Sequence, residues 1–284
     1  MLIPIVCISL LAYADSVLPS AYDVVIHEIM PRPSPVVGLP PCEYIELRNR
    51  SNHMVQLQDW RIAVNKREVT LPAYTLLPDS LVVLCGAAAA DSAGIHNIMG
   101  IGRFPVLPDD SGLVVLYNNS RKVIHAVAYN PSWYGVSRNG KAGYSLEMAD
   151  ANCPCTGKSA WNAAPGSPGR YNTSVVTVAG FSGPDLYYAA VTDSQQLSIC
   201  FNMAIDSVTA GDPARYQLSG NRITGATVLP PLFNTVRLQT ASPLQPGNTY
   251  IITTKGITDC LQKHTGIKTA IALALPQLPT PQDV

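Results

Sequence analysis

Charge is scarce in this sequence. Lys and Arg number 19 and Asp and Glu 19 over 284 residues, so the formal net charge is zero and only 13% of residues are charged. Nucleic acids and anionic membranes are held by a basic field. A neutral chain supplies none, and neither partner is expected. Long apolar runs are missing as well: the one at the start falls short of the ~20 residues that a spanning helix needs, so no transmembrane segment is expected. Phe is rare, four against 13 Tyr, a balance suited to half-exposed sheet faces. Any helical pattern is interrupted by 24 Pro and 20 Gly, which mark turns and argue against a helical protein.

Catalytic motifs occur only in broken form. Residues 135–141 reproduce the G-x-x-x-x-G-K spacing of a phosphate loop, but Ala142 stands where Ser or Thr would hold magnesium, and a strand follows instead of a helix. His27 and Glu28 open like a zinc-protease motif whose second His position is taken by Pro31. Residues 143–147 lack the last Gly of a nucleophile elbow, and residues 100–105 lose a third Gly. The His residues at 27, 53, 96, 125 and 264 show no ligand spacing and read as structural or surface groups. No catalytic, cofactor-binding or metal residue is therefore expected, and the protein does not read as an enzyme. Four carboxylates, Glu28, Glu43, Glu46 and Glu147, call for a separate test. Paired carboxylates serve acid/base chemistry or, with carbonyls, bind calcium. Without a substrate-positioning set, the expectation is that they pair with Arg48, Arg61 or nearby backbone amides and fix strand ends, with calcium the competing ligand.

What the chain does contain is strand grammar. An apolar run, Val24 to Met30, precedes a Pro-rich connection over 31–41. A second strand over 43–49, a turn over 50–53 and a short run over 55–57 ending at Trp60 follow, with no room for a helix between them. In the second strand Ile45 and Leu47 point one way and Tyr44, Glu46 and Arg48 the other, which predicts one dry and one wet face. These residues resemble the lamin tail domain as it occurs in bacterial surface proteins: an Ile-x-Glu-Ile start, a Glu-Tyr-Ile-Glu-Leu-x-Asn centre and a closing Trp. His27 stands where the family usually has Asn. The likeness continues through Leu71-Pro72, Leu77-Pro78-Asp79, the strand over 110–117, residues 143–147, Trp161 and the closing Gly166-Ser167-Pro168-Gly169-Arg170-Tyr171-Asn172. It covers 23–172 and implies an immunoglobulin-like β-sandwich with no catalytic residue. The small residues over 86–93 read as one short helix bridging two strands.

Beyond residue 172 the strands shorten: 186–191, 196–201, 215–218, 226–229, 235–238 and 249–254, a spacing that indicates a second sandwich. Residues 197–206, 235–238, 243–250 and 256–259 resemble a bacterial Ig-like domain of surface-layer and secreted proteins, over roughly 174–275. The fold class is thus all-β, two immunoglobulin-like sandwiches in tandem over 15–172 and 173–275. Residues 276–284 read as a Pro-rich linker leading towards a further module.

Residues 1–14 end in Ala12-Tyr13-Ala14, the small-x-small pattern of a signal peptidase site, and predict export. Removing them leaves six of seven Cys, an even number that suits an oxidising compartment. Cys200 and Cys260, within the second unit, form one candidate disulfide and Cys42 with Cys85 another. Cys153 and Cys155 are too close for an easy mutual bridge, so either is free to seek another partner. Asn49, Asn118 and Asn172 each begin an N-glycosylation triplet, and Asp-Ser pairs at 15, 79 and 206 fit a short bacterial O-glycosylation motif.

The chain so read is an exported, non-catalytic surface or secreted protein that spaces, displays or adheres, with a cell-surface protein or glycan as partner. The aromatics of residues 129–134, Tyr129, Trp133 and Tyr134, are the candidate contact residues, unless Trp133 covers its own sandwich. Two alternatives stand beside it: accessory modules of an extracellular hydrolase, and a carbohydrate-binding module stacking sugars on Trp133 and Tyr134.

Overall fold

The computed structural model describes residues 18–34, 41–91, 93–134, 142–173, 183–263 and 270–275. The leader over 1–14, the G-x-x-x-x-G-K motif over 135–141, His264 and the tail over 276–284 lie outside them.

The first unit is built from β1 (Val24–Met30), β2 (Tyr44–Asn49), β3 (Val55–Gln56), β4 (Arg61–Val64), β5 (Arg67–Thr70), β6 (Thr75–Leu76) and β7 (Leu81–Gly86). The helix α1 (Ala87–Ala90), β8 (Ile98–Ile101), β9 (Gly112–Tyr117), β10 (Val123–Tyr129), β11 (Ser145–Met148) and β12 (Trp161–Ala164) complete it. One sheet runs β12-β11-β1-β2-β7-β8 and the other β10-β9-β4-β5, with β3 and β6 as a separate pair. Among the described strands only β7 and β8 run parallel, and α1 lies in the crossover between them. The two main sheets face one another across a core of Ile26, Ile29, Ile45, Leu47 and Leu84 from the first and Ile62, Val114, Leu116 and Val127 from the second. Trp60 closes it, 2% exposed.

Glycine is obligatory at one point of this core. The Tyr129 ring lies across β9, and a Cβ on Gly112 would stand 2.6 Å from it. The Tyr129 hydroxyl donates to Pro108 O at 2.7 Å.

The second unit holds β13 (Leu186–Asp193), β14 (Gln196–Phe201), α2 (Ser207–Ala210), β15 (Tyr216–Leu218), β16 (Ile223–Leu229), β17 (Thr235–Thr240), β18 (Thr249–Thr254) and β19 (Ala270–Ala274). A sheet β13-β14-β17-β16 packs on β15-β18-β19 through Leu197, Ile199, Phe201 and Leu238 on one side and Tyr216, Tyr250, Ile252 and Leu273 on the other. The protein is thus nearly all β, as its turn-bounded runs predict, in two sandwiches. The strand β19 is an addition to those expected.

The cysteine pairing differs from the expectation. Cys260 bridges to Cys155, with Cα atoms 5.7 Å apart and a sequence separation of 105, so the disulfide joins the two sandwiches and does not staple the second. Cys200 is free and half-buried on β14. Chain geometry accounts for this: the loop from β11 to β12 carries Cys155 out of the first sheet and onto the strand-free segment after β18. There the Ala204 amide donates to Cys155 O at 3.0 Å, and the Cys260 amide donates to Ala204 O at 3.2 Å. Cys42 and Cys85 do meet, as expected, but as unbridged thiols in one small cluster with Met30, Tyr44 and Val83.

Closing a loop of this length by a bridge is worth about 5 kcal/mol on the chain-entropy account. Cys155→Ser should therefore lower the denaturant midpoint substantially, and Cys200→Ser should shift it little. Equal shifts in equilibrium unfolding would contradict the observed pairing.

A buried carboxylate cluster as the candidate functional site

Register puts three carboxylates side by side. On the six-stranded sheet Glu28 stands opposite both Glu46 and Glu147, and all three are 0% exposed. The pairing shifts by one residue between Ile26 and Glu28. Such a bulge sends two consecutive side chains to one face. Ile26 and Ile29 can then both enter the core while His27 and Glu28 both point away from it, the first carrying its Nδ1 to 2.8 Å from Glu46 Oε1.

The face predicted to be wet is therefore dry. Glu46 is fully buried beneath residues 165–173, the closing segment of the unit, which cross it as a strap, and Tyr44 is buried beside it against Met30, Val83 and Cys85 with Ala89, Ala90 and Ile98 packed on them. The strap supplies the donors that buried carboxyls require. Ser167 N donates to Glu28 Oε1 at 3.1 Å, Ser167 Oγ to Glu147 Oε1 at 2.8 Å, and Gly169 N to Glu46 Oε2 at 2.6 Å. From the sheet itself, the Tyr44 hydroxyl donates to Glu28 Oε1 at 2.5 Å. Asn172 fastens the far end, its Nδ2 donating to His27 O at 3.0 Å and Met148 O at 2.8 Å. Gly169 has φ +77°, and a Cβ there would lie 2.9 Å from Ile95 Cγ2, so only glycine brings its amide this close.

Of the partners expected for these carboxylates, the amides are found and the arginines are not. Arg48 donates to Asp79 Oδ1 at 2.7 Å, with its guanidinium 4.8 Å from the Tyr171 ring, and Arg61 pairs with Glu68 at 2.8 Å. The cluster sits at mid-strand, not at strand ends. Glu43 lies apart from it and accepts from the Leu107 amide at 2.7 Å.

Burial sets the protonation. It pushes Glu28 and Glu46 each up to about 8, and it drives His27 down to about 3. For Glu28 the neighbouring Glu46 and Glu147 carboxyls add to the effect of burial, while hydrogen bonds from Ser145 and Tyr44 act against it. His27 and Glu46 therefore meet as neutral partners at neutral pH, joined by the one hydrogen bond between Nδ1 and Oε1. His125 is a second buried, neutral imidazole: its Nδ1 accepts from Ile26 N at 2.9 Å, burial lowers it to about 4, and its other face bonds the Pro154 backbone beside Cys155.

Among the described residues, no group of three or more His, Cys, Asp or Glu is arranged to hold a metal ion; Glu28 Oε1, Glu147 Oε1 and Glu46 Oε2 accept from amides and hydroxyls. The arrangement fastens the strap to the sheet, its polar groups bonding to one another beneath it.

The expected contact aromatics are placed differently. Tyr129 and Tyr134 are buried, at 2% and 5% exposure, because residues 131–134 form a 3-10 turn that folds Tyr134 inward. Trp133 packs half-buried on its own sandwich, 5.9 Å from Trp161. No stacking platform of Trp133 with Tyr134 is formed; among the described residues Tyr171, Tyr187 and Tyr188 are the exposed aromatics. The three Asn of the glycosylation triplets are structural as well. Asn49 is fully buried and donates to His53 O, Leu76 O and Leu77 O, Asn118 closes its own turn, and Asn172 holds the strap.

The family model described as Lamin Tail Domain matches residues 19–131, as the strand signatures of the first unit imply. Strands β11 and β12 and the strap, which complete the same sheet, lie beyond that match. No curated protein is similar to the chain at a significant level. Among solved structures, the N-terminal part of the bacterial S-layer protein SbsC is similar over 33% of this chain and 24% of its own, at 18% identity and a TM-score of 0.31. Domains 1-6 of surface layer protein SbsC are similar over 36% of this chain and 14% of their own, at 19% identity and a TM-score of 0.32. The chain thus spans at most 24% of the length of these structures. Among the described residues no helix is long and apolar enough to cross a membrane.

A carboxyl with a raised folded value binds more protons folded than unfolded, so Glu28 and Glu46 withdraw stability as pH climbs from their ordinary 4.5 to about 8. His27 and His125, with lowered values, withdraw it as pH falls from 6.5 towards 3 to 4. The opposing terms overlap between 4.5 and 6.5, so thermal midpoints should be flat there and decline on both sides. Glu46→Gln should flatten the alkaline decline, and an unchanged slope in that variant would contradict the assignment. Gly169→Ala should cost roughly 1–3 kcal/mol from backbone strain, read in denaturant melts.

Proposed function

We propose that this chain is a non-catalytic, exported cell-surface or secreted protein whose two sandwiches act as one stiff spacing and display unit. The observation that carries this reading is the Cys155–Cys260 bridge across the seam. Inter-domain contacts of ordinary size permit relative motion by default. A covalent tie with backbone hydrogen bonds at the same place opposes it. A structural disulfide also fits an oxidising compartment, in agreement with the signal-like leader. The buried carboxyls bond to the strap that covers them, which favours a mechanical role for this cluster over chemistry.

Unfolding tests the stiffness. Trp60, Trp133 and Trp161 are the only Trp of the chain, and all lie in the first sandwich, so fluorescence reports that unit while far-UV circular dichroism reports both. With the bridge intact the two signals should change in one transition, and after reduction they should separate. Separate transitions in the oxidised protein would refute a single mechanical unit.

A further inference from the structure

The seam between the sandwiches encloses a recess to which both contribute. One part holds about 200 Å³ between Trp133, His125 and Trp161 of the first unit and Asn202, Leu232 and Asn234 of the second. A more open part of about 440 Å³ adds Ser159 and Asn162, and the two parts share Lys158, Trp161, Asn202 and Met203. The recess is therefore continuous along the seam.

Its chemistry is mixed in a particular way. Trp133 is half-buried against Trp161, the rings tilted by 45°, and offers apolar ring surface to the recess. Asn162, Asn202 and Asn234 bring amides whose Nδ2 groups can donate; Asn202 Oδ1 already accepts from Asp185 N at 2.9 Å and Asn234 Oδ1 from Thr235 Oγ1 at 3.2 Å, each keeping a second lone pair. Lys158 is the only charged side chain among the described residues that line it, and no carboxylate does. His125 forms wall only, since both its ring nitrogens are already bonded.

We propose that this recess binds an oligosaccharide, neutral or sparsely acidic. An indole face matches the C–H face of a pyranose, and amides match its hydroxyls, the combination of apolar wall and few placed polar groups that small-ligand sites use. Lys158 accommodates an occasional acidic substituent. A peptide is less well matched: it would extend the sheet along β12, but that strand has four residues and its first and last side chains are buried. Cys155 lines the recess, so the bridge to Cys260 fixes the spacing of the two walls. This site goes beyond the spacing role and stands apart from it, since a stiff unit that binds nothing would still unfold in one transition.

The test presents the oxidised full chain to an array of immobilised neutral and uronic-acid-containing polysaccharides, alongside a peptide array, and titrates oligosaccharides of the strongest glycan by tryptophan fluorescence. Binding is expected to perturb the fluorescence, and Trp133→Ala and Asn234→Ala, one on each wall, should each raise Kd about tenfold or more, equivalent to ~1.4 kcal/mol. Trp133→Phe should retain part of the affinity, with circular dichroism checking that each variant folds. Reduction of the bridge should weaken binding as well. Retention by peptides and not glycans, absence of any polysaccharide binding, or affinity unaffected by both alanine variants would overturn the proposal.

Discussion

Three carboxyl groups on one fully buried sheet face set the terms for the first sandwich. An ionised carboxylate removed from water without donors costs far more than a domain's net stability. Glu28, Glu46 and Glu147 can occupy that face only because the strap delivers two backbone amides and a serine hydroxyl to them, and because burial keeps Glu28 and Glu46 protonated at neutral pH. The bulge at His27 is part of the same solution, since it turns a second polar side chain onto this face without moving the isoleucines out of the core. Partly satisfied, such a network would be worse than an apolar surface; satisfied, it specifies one closure of the chain.

That closure extends to the second sandwich. For the strap to reach the cluster, β11 and β12 must first pair beside β1, and the connection between them is the loop that carries Pro154 and Cys155. His125 holds that loop from the sheet side, and Cys260 holds it from the other unit. The seam, its recess and the stiffness assigned to the pair all depend on where this loop is placed. A change at Gly169 or Ser167 is thus linked to the domain interface through the strand pair, although neither residue touches the second unit in the contacts described.

Much of the fold was legible in the sequence, for a physical reason. Apolar runs bounded by Pro, Gly and Asn have few alternatives to strands, so Val24–Met30, Gln196–Phe201 and Thr249–Thr254 fall where their patterns place them. The site was less legible. Alternation in Tyr44, Glu46 and Arg48 identifies a second face but does not distinguish water from a strap 120 residues downstream; the hint was three Glu in apolar strands with no basic residue opposite them. Ser167, Gly169 and Asn172 were visible only as a closing signature, and their work as donors depends on distances that the fold creates. The same holds for Cys155 and Cys260, which lie in different units and are brought together by the β11–β12 loop. Tyr129 and Tyr134 resemble a surface loop in sequence, and a single 3-10 turn takes Tyr134 inside.

The central claim is that the two sandwiches are joined covalently at one seam in an oxidising compartment. Its most direct test is peptide mapping of the protein from its native host, with free thiols blocked before digestion and no reductant added. The account predicts one linked pair of peptides carrying Cys155 and Cys260, with Cys200 found blocked as a free thiol. Recovery of Cys155 and Cys260 as blocked free thiols, or a link between Cys200 and Cys260, would contradict it.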